Sequence, residues 1–91
     1  MYFLYILQNP KGIYYIGVSN DVSRRLREHN SGRGAKITAQ RGGFSIVYTE
    51  EYQNINVAYA REKQLKGWSR AKKKALVLGN IDELKLLRKS R

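Results

Sequence analysis

Two apolar runs open the chain, Tyr2 to Leu7 and Ile13 to Val18. Both are built from aromatic and β-branched residues, which suit a pleated, half-buried backbone. Gln8, Asn9, Pro10, Lys11 and Gly12 separate them with turn-forming residues, so the pair predicts a β-hairpin. A turn centred on Pro10 sets Tyr5 opposite Tyr15, on one face of the sheet. Beyond Val18 the apolar spacing becomes helical. Val22 and Leu26 form a stripe, with Asn20 or Asp21 as N-cap, in a helix that runs to His29 and ends near Gly32.

A glycine-rich, basic stretch follows, holding Gly32, Gly34, Gly42 and Gly43 with Arg33, Lys36 and Arg41. Phe44 to Glu51 returns to strand composition and predicts a third strand. Asn54 or Asn56 caps a second helix to about Gly67, and Ser69 caps a third through Leu78 with Gly79 past its end. Asn80 and Glu83 stand at capping-box spacing for a short last helix, Ile81 to Lys89. The order β-β-α-β-α-α with a short C-terminal helix is an α+β fold: a small three-stranded, mainly antiparallel sheet flanked by helices. Ninety-one residues make one domain, 1–91, with a core in 1–80 and a helix and basic tail in 81–91.

Charge narrows the partner. Eighteen lysines and arginines face seven acids, a net charge of +11. A polyanion relieves that self-repulsion, and nucleic acid is the leading candidate. No helix sets a broad aromatic face against a lysine face, so a membrane surface is not the expected partner. The chain has no cysteine, which excludes disulfides, thiolate metal sites and a cysteine nucleophile. No apolar run approaches the roughly 20 residues of a membrane span. Tyr2 to Leu7 is short and lacks a basic flank, so it reads as a strand rather than a signal peptide. A soluble, cytoplasmic protein is expected.

Polar residues on apolar helix faces point to chemistry. At helical periodicity Arg25 and His29 share the side of Val22 and Leu26, while Arg24, Arg27 and Glu28 point away. In the second helix Glu62 interrupts the stripe of Ile55, Ala58 and Leu65. A buried charge persists when it is paired, metal-bound or part of a site. Structural roles fit each residue alone: tyrosine is a good strand former, and Arg25 with Glu62 makes an ordinary salt bridge. Together they suit phosphodiester hydrolysis. One carboxylate can anchor Mg²⁺ or Mn²⁺. A fixed guanidinium can stabilise developing negative charge. A phenol or imidazole can take the proton of the attacking water. A single inward carboxylate argues for one ion rather than a two-metal clamp.

The same residues resemble the ordered motif of the GIY-YIG nuclease superfamily. Tyr5 in Phe3-Leu4-Tyr5 is followed by Tyr15-Ile16-Gly17, then Arg25, His29 and Glu62. Gly12 to Gly17 spells both family tripeptides in one run. In the family they occupy separate strands, so the first element here is Phe3-Leu4-Tyr5, degenerate except for its tyrosine. The chain looks most like the small stand-alone bacterial members, through Glu28-His29-Asn30-Ser31-Gly32, Arg61-Glu62-Lys63 and Trp68-Ser69-Arg70. It also resembles the N-terminal nuclease domain found in excinucleases, although His29 replaces a tyrosine there and Val18 a lysine. The resemblance implies Glu62 as metal ligand for one Mg²⁺ or Mn²⁺ and Arg25 as transition-state stabiliser. It implies Tyr5 or His29 as general base, Tyr15 as orienter of water or phosphate, and Gly17 as the residue that keeps the sheet surface open.

The remaining basic residues complete the expectation. Arg33, Lys36 and Arg41 lie in a glycine-rich loop that is either a plain flexible connection or one that tracks a DNA or RNA backbone. Arg61, Lys63, Lys66, Arg70 and Lys73 make a phosphate-binding stripe, or simply a solvated face. Trp68 reads as a plug between helices. The sequence therefore predicts a metal-dependent endonuclease acting on DNA, branched or single-stranded, in repair or recombination. RNA is the alternative polymer, sequence preference is weak, and the protein is a monomer or weak dimer. The rival reading is a nucleic-acid-binding module with the same fold and little or no hydrolysis.

Overall fold

The computed structural model describes residues 1–31 and 43–87. Three strands form one antiparallel sheet: β1 (Tyr2–Gln8), β2 (Tyr14–Ser19) and β3 (Ser45–Tyr52), in the order β2-β1-β3. Four helices complete the α+β fold among these residues: α1 (Val22–Asn30), α2 (Ile55–Lys66), α3 (Arg70–Leu78) and α4 (Ile81–Leu87). None is long and apolar enough to cross a membrane.

The hairpin register corrects one expectation. Tyr5 pairs with Gly17, and Tyr15 pairs with Leu7. The cause is the turn, which centres on Lys11 rather than Pro10. Asn9 accepts hydrogen bonds at Oδ1 from Lys11 N (3.1 Å) and Ile13 N (2.9 Å), and its own N–H donates to Ile13 O (3.1 Å). Gly12 closes the turn at φ 83°, a left-handed conformation that favours glycine. The shift is two residues, so side-chain parity survives and both tyrosines stay on one face.

Alternation along β1 divides the core. Leu4 and Ile6 are fully buried on one face, with Ile16, Leu65 of α2 and the partly buried Trp68. Tyr5 and Leu7 are buried on the other, with Phe44 and with Val22 and Leu26 of α1. Truncating one such residue to alanine costs about 2–5 kcal/mol, a large share of the ~5–14 kcal/mol that stabilises a chain of this length.

The helix ends follow the caps that the sequence offers. Asp21 accepts from Arg24 N at 3.0 Å, Asn54 from Asn56 N at 2.8 Å and Ser69 from Lys72 N at 3.2 Å. Gly79 adopts φ 69° after α3. Asn80 Oδ1 accepts from Glu83 N at 3.1 Å, but Glu83 Oε2 accepts from the Asn80 side-chain amide (3.1 Å) rather than its backbone N–H. That backbone N–H is already bonded to Ala75 O at 2.9 Å. The expected end of the last helix, near Lys89, lies outside the described residues.

Candidate active site

The α1 face of the sheet positions the phenols. The Tyr5 ring extends from the central strand across β2 at Gly17. A Cβ added at Gly17 would stand 2.5 Å from the Tyr5 hydroxyl oxygen and 2.7 Å from Cζ. Only glycine leaves room there, and the result is a phenol laid over an edge strand. Tyr15 stacks beside it, with ring centroids 6.5 Å apart and planes inclined by 26°. The two tyrosines are diagonal neighbours in the register, Tyr5 opposite Gly17 and Tyr15 opposite Leu7, a separation that aromatic side chains span.

α1 supplies the next two groups. Arg25 lies beside the Tyr5 phenol, and this hydrogen-bonding contact is the main reason its guanidinium holds its proton more tightly than usual. Burial raises the Tyr5 pKa above its ordinary value; Arg25 opposes the rise, while Tyr15 and Glu62 add to it. Tyr5 therefore stays a protonated donor at neutral pH. His29 is fully buried, with its ring 4.2 Å from that of Tyr15 at 59°. Burial, and then the charge of Arg25, lower its pKa, while Glu28 pulls weakly the other way. The imidazole is thus neutral near pH 7.

Glu62 approaches from the other side. It stands on α2, close enough to act electrostatically on Tyr5. Four of the five sequence-predicted residues therefore share one electrostatic neighbourhood, and His29 joins through Tyr15. Arg25 and Glu62 do not form the simple bridge that sequence leaves open. Arg25 Nη1 pairs with Glu28 Oε1 at 3.0 Å, and Glu62 Oε2 pairs with Lys66 Nζ at 3.0 Å. The five are also layered. Tyr5 and His29 are buried, whereas Arg25 and Glu62 keep 36% and 20% of their side-chain surface open.

The donor set bears on the metal. Among the described residues no three His, Asp or Glu side chains gather into a cage. Glu62 alone fits the habit of Mg²⁺, which takes one or two carboxylates and completes its shell with water and phosphate oxygens. The open part of the Glu62 side chain suits that role, with the Lys66 ammonium as the competing cation.

The basic residues divide by what they already touch. Arg33, Lys36 and Arg41 lie outside the described residues. Lys63 and Lys66 are exposed, and Lys73 is half-exposed. Arg70 donates to Gly12 O at 2.7 Å and lies over the Tyr14 ring. Arg61 is the exception to the expected stripe. Its Nε and Nη2 donate to Glu50 at 3.0 Å each, and Nη1 donates to Gln64 at 2.9 Å.

Glu50 is the centre of a cluster that sequence reasoning missed. It also accepts from the Tyr48 (2.6 Å) and Tyr52 (2.7 Å) hydroxyls. Burial pushes its pKa up, but the bonds from Arg61 and the two tyrosines outweigh that and leave it lowered. Tyr48 is pushed up to about 12, first by burial and then by Glu50. Trp68 packs on the core as expected, between the Arg61 and Lys72 cations. The signal was present: Tyr48, Glu50 and Tyr52 alternate along β3 and so share a face. Asn30 is a second omission. Its amide accepts from Phe44 N and donates to Phe44 O, both at 2.9 Å, tying α1 to the start of β3.

Stacked phenols, a guanidinium, a neutral imidazole and one partly open carboxylate thus lie near one edge strand of a small α+β sheet. The family model of the GIY-YIG catalytic domain matches residues 1–75. The chain belongs to the GIY-YIG family, a nuclease family whose members generally use a divalent metal. Among its relatives is a UPF0213 protein of Halobacterium salinarum, 41% identical over 84% of this chain and 99% of that protein. A UPF0213 protein of Staphylococcus aureus is 38% identical over 84% of this chain and 93% of its own. The solution NMR structure of UPF0213 protein BH0048 from Bacillus halodurans superimposes with a TM-score of 0.55 at 41% identity, covering 85% of this chain and 83% of that one.

Proposed function

We propose that this protein is a divalent-metal-dependent endonuclease that hydrolyses DNA phosphodiester bonds with weak sequence preference. The observation that carries the reading is the Arg25 guanidinium beside the Tyr5 phenol, over Gly17, within electrostatic reach of Glu62. A phosphate seated there receives positive charge from Arg25 and a hydrogen bond from protonated Tyr5. Glu62 would hold one Mg²⁺ or Mn²⁺, which when bound supplies Lewis-acid polarisation of the phosphoryl group. Water attacks phosphorus, the bond to the leaving sugar oxygen breaks, and the water proton needs an acceptor. Tyr5 or His29 would accept it: His29 has the lowered pKa that suits a base but a fully buried ring, whereas Tyr5, with a raised pKa, is the group beside Arg25. Lysines and arginines hold phosphates and carry no sequence information, hence the weak preference. The protein acts as a monomer or weak dimer in the cytoplasm, in repair or recombination.

The binder reading draws on the Glu62–Lys66 pair, which occupies the carboxylate. Oligonucleotide cleavage with Mg²⁺ or Mn²⁺ separates the two. Native protein should cleave, and Glu62→Ala and Arg25→Ala should bind with cleavage reduced by about 10²–10³-fold or more. Absence of cleavage by the native protein on single-stranded, duplex and branched DNA and on RNA leaves the binder.

A further inference from the structure

An open groove of about 330 Å³ adjoins the candidate site, and it includes Arg25. Arg24 and Arg25 of α1 form one wall, and Ile55 and Tyr59 of α2 the other. Tyr2 and the end of β2, Val18 to Asn20, complete it. The catalytic reading uses only Arg25 from this set. Tyr59 is 50% exposed, although it stands on a helix whose buried side is Ala58 and Leu65. A large aromatic ring is thus turned away from the core and into a groove edged by two arginines.

We infer that this groove seats one unpaired nucleobase next to the scissile phosphate, stacked on Tyr59, with Arg24 on an adjoining backbone phosphate. Three features fix the occupant. The volume is at the low end of small-ligand pockets, near 300 Å³, which suits one base and excludes a duplex. The walls combine apolar and aromatic surface (Val18, Ile55, Tyr59) with the exposed amide of Asn20, the Ser19 hydroxyl being already bonded to the Asp21 backbone. A base offers a π-face to the first and polar edges to the second. The charge is complementary, since a base enters with its phosphates, and the chain carries +11. Arg25 belongs to both groove and site, so the seated nucleotide is a neighbour of the bond that breaks. The location rests on the nuclease reading; the groove as a base site does not. The substrate then needs an unpaired nucleotide at the cleaved position, as single strands, bulges and loops provide.

The test measures binding without divalent metal, so that no cleavage intervenes. The ligands are a thymidine oligonucleotide and an abasic oligomer of equal length. Stacking of one base changes affinity by about 5- to 100-fold. Tyr59→Ala should lose that factor on the thymidine strand and stay within about twofold of native on the abasic one. Tyr59→Phe, which keeps the ring, should bind like the native protein. Thermal melting checks that the variants fold, as expected for a half-exposed side chain. Loss of less than about twofold on thymidine, or equal loss on both oligomers, overturns the inference. A separate assay with Mg²⁺ or Mn²⁺ tests hydrolysis. A base-dependent Tyr59 effect without cleavage keeps the groove and removes the nuclease; cleavage without that effect does the reverse.

Discussion

Gly17→Ala is the smallest change that tests the site geometry. The added methyl would meet three Tyr5 atoms: the hydroxyl oxygen at 2.5 Å, Cζ at 2.7 Å and Cε1 at 3.1 Å. Unstrained carbon contacts begin near 3.5 Å, so the ring must move by roughly an ångström. Tyr5 is 1% exposed and packs with Leu7 and Phe44. A core of that density has no slack, and overpacking of this kind costs about 1–3 kcal/mol. The intrinsic effect has the opposite sign, because alanine in a strand is favoured over glycine by about 0.5–1 kcal/mol. Urea denaturation of a double-mutant cycle separates the two terms. In the native background Gly17→Ala should destabilise by about 1–2 kcal/mol. In a Tyr5→Leu background, where the hydroxyl and Cζ are gone, it should be neutral or slightly stabilising. Cleavage should fall in Gly17→Ala even where the protein is fully folded, since the displaced phenol leaves Arg25. Equal destabilisation in both backgrounds would mean that the glycine serves the strand and not the tyrosine, and the reading of the sheet surface would fail.

Other outcomes follow from the same contacts. His29 has a lowered folded pKa, so the unfolded chain takes up the proton first; stability should hold above pH 6.5 and fall below it. His29→Gln should abolish that slope, which is at most about 1.4 kcal/mol per pH unit, between pH 7 and 5. Glu50 is also lowered, from 4.5, so its contribution should persist above pH 4.5 and fade below it; an acid limb there should survive in His29→Gln and be reduced in Glu50→Gln. Glu50→Ala removes a carboxylate 17% exposed and strands Arg61, 24% exposed, with two hydroxyls, and denaturation should register a loss of about 2–3 kcal/mol, below the about 3–5 of a fully buried pair. Asn30→Ala removes both bonds to Phe44 and should cost about 1–3 kcal/mol by the same measurement.

What the sequence conveys depends on whether a signal is local. The hairpin, the helix starts at Asp21, Asn54 and Ser69, and the stop at Gly79 each rest on a few neighbouring residues, and all appear in the fold. The register does not, because the Asn9 side chain moves the turn centre by one residue and every cross-strand pair by two. That error left the faces intact, since parity depends only on even shifts. It hid the reason for Gly17: with Tyr5 opposite Tyr15 the glycine had no ring to accommodate, whereas the true pairing makes it the seat of the phenol. Helical periodicity brought Arg25 and His29 to the sheet, but it treats a face as uniform. Depth separates them, with the imidazole sealed and the guanidinium partly open. Depth also depends on which long-range partner a side chain finds. Arg61 and Lys63 look alike in the sequence, yet one meets Glu50 eleven residues earlier while the other remains in solvent. A basic stripe read from sequence is therefore an upper bound on the charge left for phosphate. Contacts already made inside the fold, such as Arg61 with Glu50 and Arg70 with Gly12, decide how much of the charge remains.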